Sequence, residues 1–274
     1  MNENRLSAIG QIEVYIGKCF RLFRNEKQWK YFISSLVIIL LIALVTGPDM
    51  FREYGPTQKG AFAIVSACIW SGLFNSIRSV CQERAIIKRE HRTGLRISSY
   101  ILAHVVYEMF LCAVEALIVL VVVCISNSSH MPPEGVIIQS SFAVIPEMYI
   151  SLFLVTFSAD MLALLVSCIV KDENTAMMIM PLVLVVQLVM GGVIFELSGI
   201  AEYISRFTIS RWGVNSLGTI ARTEMVVDLQ ASWYNAGEGG SGVLVGDWLT
   251  LLAFCILYIV IAIVVLGFVD KDER

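Results

Sequence analysis

The chain has 274 residues, 57% of them hydrophobic and 16% charged, with a net charge of -3 and a mean hydropathy of +0.75. A water-soluble domain of this length carries more surface charge, so the composition excludes an ordinary globular enzyme and points to the bilayer. No basic stripe stands apart from the apolar flanks, which excludes nucleic acid as a partner.

Residues 1–11 are polar and carry no apolar core, so no cleaved signal peptide is read there. Ile9, Ile12, Ile16, Cys19, Phe20 and Phe23 then recur at helical spacing, with Lys18, Arg21 and Arg24 largely off that stripe. This pattern predicts an amphipathic helix on the inner membrane face. Six apolar runs follow: Tyr31–Val45, Gly60–Ile77, Ser98–Ile125, Val144–Val170, Thr175–Ile194 and Trp248–Phe268. A crossing takes about 20 apolar residues. The expected fold class is therefore an all-α polytopic membrane protein with six transmembrane helices. Lys171–Asn174 predicts a tight hairpin between the fourth and fifth runs. Gly191 and Gly192 end the fifth. Residues 197–225 read as short helices at the outer interface, and 235–242 as a glycine-rich hairpin tip.

Orientation follows from Lys and Arg. Fourteen fall on the side holding both termini, the second loop and the fourth loop, against five on the other. The positive-inside bias therefore places both termini in the cytoplasm, at the plasma membrane. All seven cysteines lie in apolar runs or in segments read as cytoplasmic, which argues against a disulfide framework.

The sequence contains no phosphate-binding G-x-x-x-x-G-K-[ST] loop and no H-E-x-x-H. The histidines are too scattered for a metal cluster. Gly239–Gly242 matches a G-x-S-G by letters, but no histidine follows His130 to serve as its base. No catalytic residue and no metal site is therefore assigned. Ionisable residues inside apolar runs are costly and mark candidate function. His104, Glu108 and Glu115 share one face of the third run, and Asp160 lies in the fourth. Counting from the cytoplasmic ends puts Glu108 and Asp160 in one layer, roughly 15 Å deep. Arg78 can reach that layer by snorkelling. These residues form a candidate polar relay of Arg78, Glu108 and Asp160, set against a static buried network. The segment Cys81–Tyr100 is dense in charge around a short ridge of Ala85, Ile86 and Ile87. It suits a stiff helix of about two turns that acts as a lever for a soluble partner, or a solvated loop.

Glu83-Arg84, Arg89-Glu90, Gly94 and Ser98-Ser99-Tyr100 resemble the coupling-helix region of ABC-2 type permeases. The likeness is nearest to the G subfamily of ATP-binding-cassette transporters. Residues 11–25 resemble the connecting helix, Ser158–Ala163 the small-polar stretch of the fourth span, and Ile209–Ser216 the re-entrant segment after the fifth. The resemblance implies a cytoplasmic connecting helix in residues 1–30 and a six-helix domain in 31–274. Within that domain it implies a coupling loop at 81–97 and an outer, re-entrant region at 195–247. It further implies a bacterial exporter subunit that moves a hydrophobic or amphiphilic substrate by alternating access, as a homo- or heterodimer in contact with membrane lipid. ATP and Mg would sit on a partner cassette, with no cofactor on this chain. By the same resemblance Glu83, Arg84, Lys88, Arg89 and Glu90 would couple to the cassette. Phe74, Asn75, Met180, Leu184 and Gln187 would line the translocation path. The rival classes are a proton-coupled transporter or channel using Glu108, Asp160 and His104, a lipid-acting enzyme, and a non-transporting anchor.

Overall fold

Hydrocarbon offers backbone N–H and C=O groups no water, so a chain that crosses it satisfies them within helices. The computed structural model describes residues 8–25, 29–46, 50–51, 54–127, 131–132, 134–195, 197–221 and 240–268, and no strand occurs among them. The helices are α1 (Ala8–Asn25), α2 (Trp29–Thr46), α3 (Tyr54–Ser76), α4 (Ser79–Arg92) and α5 (Ile97–Ser126), followed by α6 (Val144–Ile169), α7 (Glu173–Val189), α8 (Ile200–Ser205), α9 (Ile209–Ala221) and α10 (Gly240–Gly267). Four segments are long and apolar enough to cross a membrane: 55–92, which joins α3 to α4, and α5, α6 and α10. The apolar stretch 36–46 of α2 and the 17-residue α7 are shorter.

The central helix is α6, which packs on α3, α5, α9 and α10. Its contact with α3 is the tightest point of the bundle. A Cβ at Gly72 would overlap the Thr156 carbonyl oxygen and lie 2.9 Å from the Asp160 nitrogen. Glycine is required there because helices in lipid hold together by close packing, which small residues permit. Polar ties reinforce the core. Ser71 Oγ and Asn75 Nδ2 of α3 donate to Glu115 of α5 at 2.7 and 3.1 Å. Ser158 Oγ of α6 donates to the Leu251 carbonyl at 3.2 Å, and Trp248 Nε1 of α10 donates to Ser151 Oγ at 2.8 Å.

Two further segments are anchored by single side chains. The Glu147 carboxylate accepts the Val136 and Ile137 N–H groups at 2.7 and 2.8 Å. Asn215 Nδ2 donates to both Asp247 oxygens, at 3.0 and 2.8 Å, and so joins α9 to α10. The expected break after α7 occurs at Gly191–Gly192, where Gly192 takes a φ of +77°. The two short helices that follow are α8 and α9, and α9 is buried against α3, α6 and α10.

Two expectations are corrected. Helix α4 has 14 residues, about four turns, where two were expected, because it continues from α3 across a break at Ile77–Arg78. The glycine-rich stretch is a helix from Gly240 onward, so the last helix begins eight residues before Trp248; residues 235–239 lie outside the described residues.

The hairpin between α6 and α7 turns on Asp172, whose Oδ1 accepts the Thr175 N–H at 3.1 Å and whose Oδ2 accepts the Thr175 hydroxyl at 2.6 Å. This N-cap holds the Asp172 carboxyl below its ordinary 3.8, with the Thr175 side-chain bond as the first cause. A depressed acid stabilises the fold above the unfolded value and loses that contribution as pH falls through the folded one. The cap is therefore complete at neutral pH and lost only below 3.8. Asp172→Ala is expected to speed hydrogen exchange at the Thr175 amide at pH 7 and to leave little difference from the parent below the cap's titration. A second expectation concerns Gly72. Gly72→Val lowers the thermal stability of the solubilised protein by at least the ~1–3 kcal/mol of ordinary overpacking, because the clash is with backbone. Gly213→Ala, which meets the Val155 and Val65 side chains, costs less.

Candidate functional site

Arg78, Glu83, Arg84, Glu90, His104 and Glu108 gather at the junction of α1, α3, α4, α5 and α6. Helix α4 is fixed there from three sides. Ser167 Oγ of α6 accepts the Val80 and Cys81 N–H groups, each at 3.1 Å, so a serine of one helix caps the start of another. In return Arg84 Nη1 donates to the Cys168 and Val170 carbonyls at 2.8 and 3.1 Å, at the end of α6. A guanidinium at a helix C-terminus meets both its free carbonyls and its negative dipole end.

Helices α1 and α5 supply the other two sides. Lys18 Nζ pairs with Glu83 Oε2 at 3.0 Å, and Tyr100 of α5 donates to the same oxygen at 3.1 Å. The Tyr15 hydroxyl donates to Glu90 Oε2 at 2.5 Å, and burial together with this bond pushes the Tyr15 phenol up from its ordinary value. Gln11 spans the α4–α5 turn, donating to the Gly94 carbonyl at 3.3 Å and accepting the Arg96 N–H at 3.1 Å. The aromatic stripe of α1 faces α5: Phe20 meets Tyr107 edge-on with ring centroids 5.2 Å apart, and Phe23 meets Phe32 of α2 at 6.0 Å. Thus α1 forms the predicted amphipathic helix and lies along α5.

Of the five residues proposed to grip a partner, Glu83, Arg84 and Glu90 bind within the chain. Lys88 is half-buried, and Arg89 is exposed. The exposed residues of α4 are Gln82, Ala85, Ile86, Arg89 and Arg92, of which Gln82 and Ile86 also border the cavity described next, while Val80, Cys81 and Ile87 are buried.

Behind α4 lies a cavity of about 460 Å³. Phe23, Phe32, Phe74, Tyr107 and Leu111 form its apolar wall. Asn75, Arg78, His104, Glu108 and Glu173 form its polar wall. Glu108 and Asp160 are buried against each other, with the Ser76 side chain interacting with both. Glu108 faces the cavity, and Asp160 lies off it, with Cys112 Sγ donating to its Oδ2 at 3.3 Å. Arg78 shares the cavity with Glu108, and its Nη1 reaches Glu173 Oε1 of α7 at 3.2 Å. His104 stacks on Tyr100 with centroids 4.7 Å apart and places Nε2 3.9 Å from Cys19 Sγ.

The five path residues separate. Phe74 and Asn75 border the cavity, while Met180, Leu184 and Gln187 form the buried stripe of α7. Gln187 plays a structural part, because its Oε1 accepts the Ile209 and Ser210 N–H groups at 2.8 and 3.3 Å and so caps α9. Sequence reasoning missed Tyr15, Ser167 and Glu173 and gave Tyr100 no role of its own. For the two tyrosines the available signal was a phenol on a stripe that faces the two carboxylates of α4, Glu83 and Glu90.

The same segments are shared with known proteins. The profile of the ABC-2 type transporter family matches residues 11–221. The chain is also 26% identical, over 219 residues, to an ABC transporter ATP-binding/permease protein of Mycobacterium tuberculosis (strain ATCC 25618 / H37Rv). That match covers 76% of this chain and 25% of the relative, so the chain spans about a quarter of that relative's length. With its apolar helices and this profile match, the chain is a transmembrane permease domain belonging to the ABC-2 type transporter family.

Proposed function

We propose that this chain is the membrane part of an ATP-driven exporter, that it works in a pair of permease units, and that a hydrophobic or amphiphilic substrate crosses by alternating access. The ATP and Mg are held by a cassette on another chain or on another part of a longer polypeptide. The observation that carries this reading is the mounting of α4. It continues from a membrane-crossing helix, one side is tied to α1, α5 and α6, and Arg89 and Arg92 stand on its exposed side. A lever needs both properties: a rigid root, and an exposed face on which force can act. Cassette closure would press on that face and tilt α3 and α6 together, opening a path between the two copies. Six crossings with both termini in the cytoplasm suit this arrangement, with α2 and α7 as the shorter spans and α8–α9 as the re-entrant outer segment.

The name of the mycobacterial relative joins an ATP-binding part to a permease part in one protein. That supports a cassette here as well, whether fused or separate. A second reading rests on the buried Glu108–Asp160 pair with His104 on the same face as Glu108. In it these groups carry protons and a pH gradient drives transport. Uptake into vesicles that follows a pH gradient and ignores ATP would favour it, and Glu108→Gln with full transport and normal coupling would remove it.

Two variants separate the lever's root from its face. Arg89→Glu, on the exposed stripe, is expected to leave the melting temperature unchanged and to cut substrate-stimulated ATPase activity roughly tenfold, within the ordinary range of a coupling free energy. Arg84→Ala combined with Glu90→Ala frees α4 from α6 and α1, so melting temperature and transport fall together. If the protein is purified from its native membrane with no ATP-binding partner, fused or bound, or if ATP-driven transport survives the double substitution, the exporter reading fails.

A further inference from the structure

The cavity is lined by residues of one copy of the chain. Its volume of about 460 Å³ lies within the range of small-molecule sites, roughly 300–1,000 Å³. Two kinds of surface meet in it. Phe23, Phe32 and Tyr107 offer an apolar slot. Glu108 and His104 are 2% and 6% exposed and line the same space. Neither Glu108 Oε2 nor His104 Nδ1 has a hydrogen-bond partner among the described residues.

A buried carboxyl oxygen without a donor carries a desolvation cost that a matching ligand group removes. Nearer the cytoplasmic end, Lys18 is paired with Glu83 and Arg78 with Glu173. The unmet demand is therefore at Glu108, and it is for a donor. An ammonium is donor-only, carries the opposite charge, and reaches more than one acceptor. Two carboxyls buried against each other do not both ionise in the empty site, and an arriving ammonium favours their ionised form where an anionic head opposes it. We propose that this cavity binds amphiphiles with a primary-amine head, the amine at Glu108 and the chain along Phe23, Phe32 and Tyr107. The amine comes from a membrane lipid with an ethanolamine head or from a soluble long-chain amine. Residues of α1 (Leu22 and Phe23) and of α4 (Ser79 and Gln82) border the site, so an occupant touches both helices. The inference goes beyond the transport reading, because every residue it uses lies in this chain.

The test uses the full chain in phosphatidylcholine nanodiscs and a diazirine-tagged dodecylamine, with crosslinks mapped by peptide mass spectrometry. Labelling is expected to saturate on peptides carrying Phe23 and Tyr107. Unlabelled dodecylamine competes, and dodecanol and dodecanoic acid do not. Glu108→Gln weakens labelling roughly tenfold, equivalent to about 1.4 kcal/mol. Leu111→Trp, which fills the cavity, removes it; should that variant fail to fold, Glu108→Gln and the head-group series decide alone. Replacing part of the disc lipid with phosphatidylethanolamine separates the sources: competition assigns the lipid, and its absence assigns a soluble amine. Equal competition by all three heads, labelling that never saturates, or parent-like labelling of Glu108→Gln overturns the proposal and leaves a water-filled void.

Discussion

The architecture depends on the close approach of α3 to α6 at Gly72. A side chain at that position would meet backbone rather than a movable neighbour, so the spacing of the two helices is set by the missing Cβ. Positions 72 and 76 lie one turn apart on α3, and position 80 follows beyond the break at Ile77–Arg78. At the first position the backbones touch. At the second, Ser76 comes to the Glu108–Asp160 pair. At the third, the amides of Val80 and Cys81 reach Ser167. Widening the first contact would pull all three apart.

The polar groups inside this bundle serve different ends. Glu115 is satisfied from α3, Asp247 from α9, and Glu147 by loop amides. These are structural ties, expected of polar groups that must leave water. Glu108 differs, since its Oε2 has no donor among the described residues and its side chain lines the cavity. Burial alone does not separate such a group from a tie; its partners do.

Much of the fold was legible in the sequence because bilayer thickness and helical period are strong constraints. The apolar runs marked α2, α3, α5, α6, α7 and α10, the 171–174 break marked the α6–α7 hairpin, and the stripe of residues 9–23 marked α1. Periodicity also placed His104, Glu108 and Glu115 on a common buried face. It gives the face of a helix and not its neighbour, so long-range ties stayed hidden. Ser167 to Val80, Arg84 to Cys168 and Asn215 to Asp247 each join residues more than 30 positions apart. For the same reason the role of Gln187 as a cap for α9 was not legible. The extra length of α4 was missed because its charge reads as a loop, although its amphipathic ridge and the Ser167 cap make it a helix.

Ser167 and Glu147 stand near opposite ends of α6, a 26-residue rod of about 39 Å at 1.5 Å per residue. One holds the root of α4; the other holds the backbone at 136–137. Displacing α4 relative to α6 strips two amides of their shared acceptor, whereas moving the two helices together does not. One copy thus carries a continuous helical link between the root of α4 and the loop backbone at 136–137.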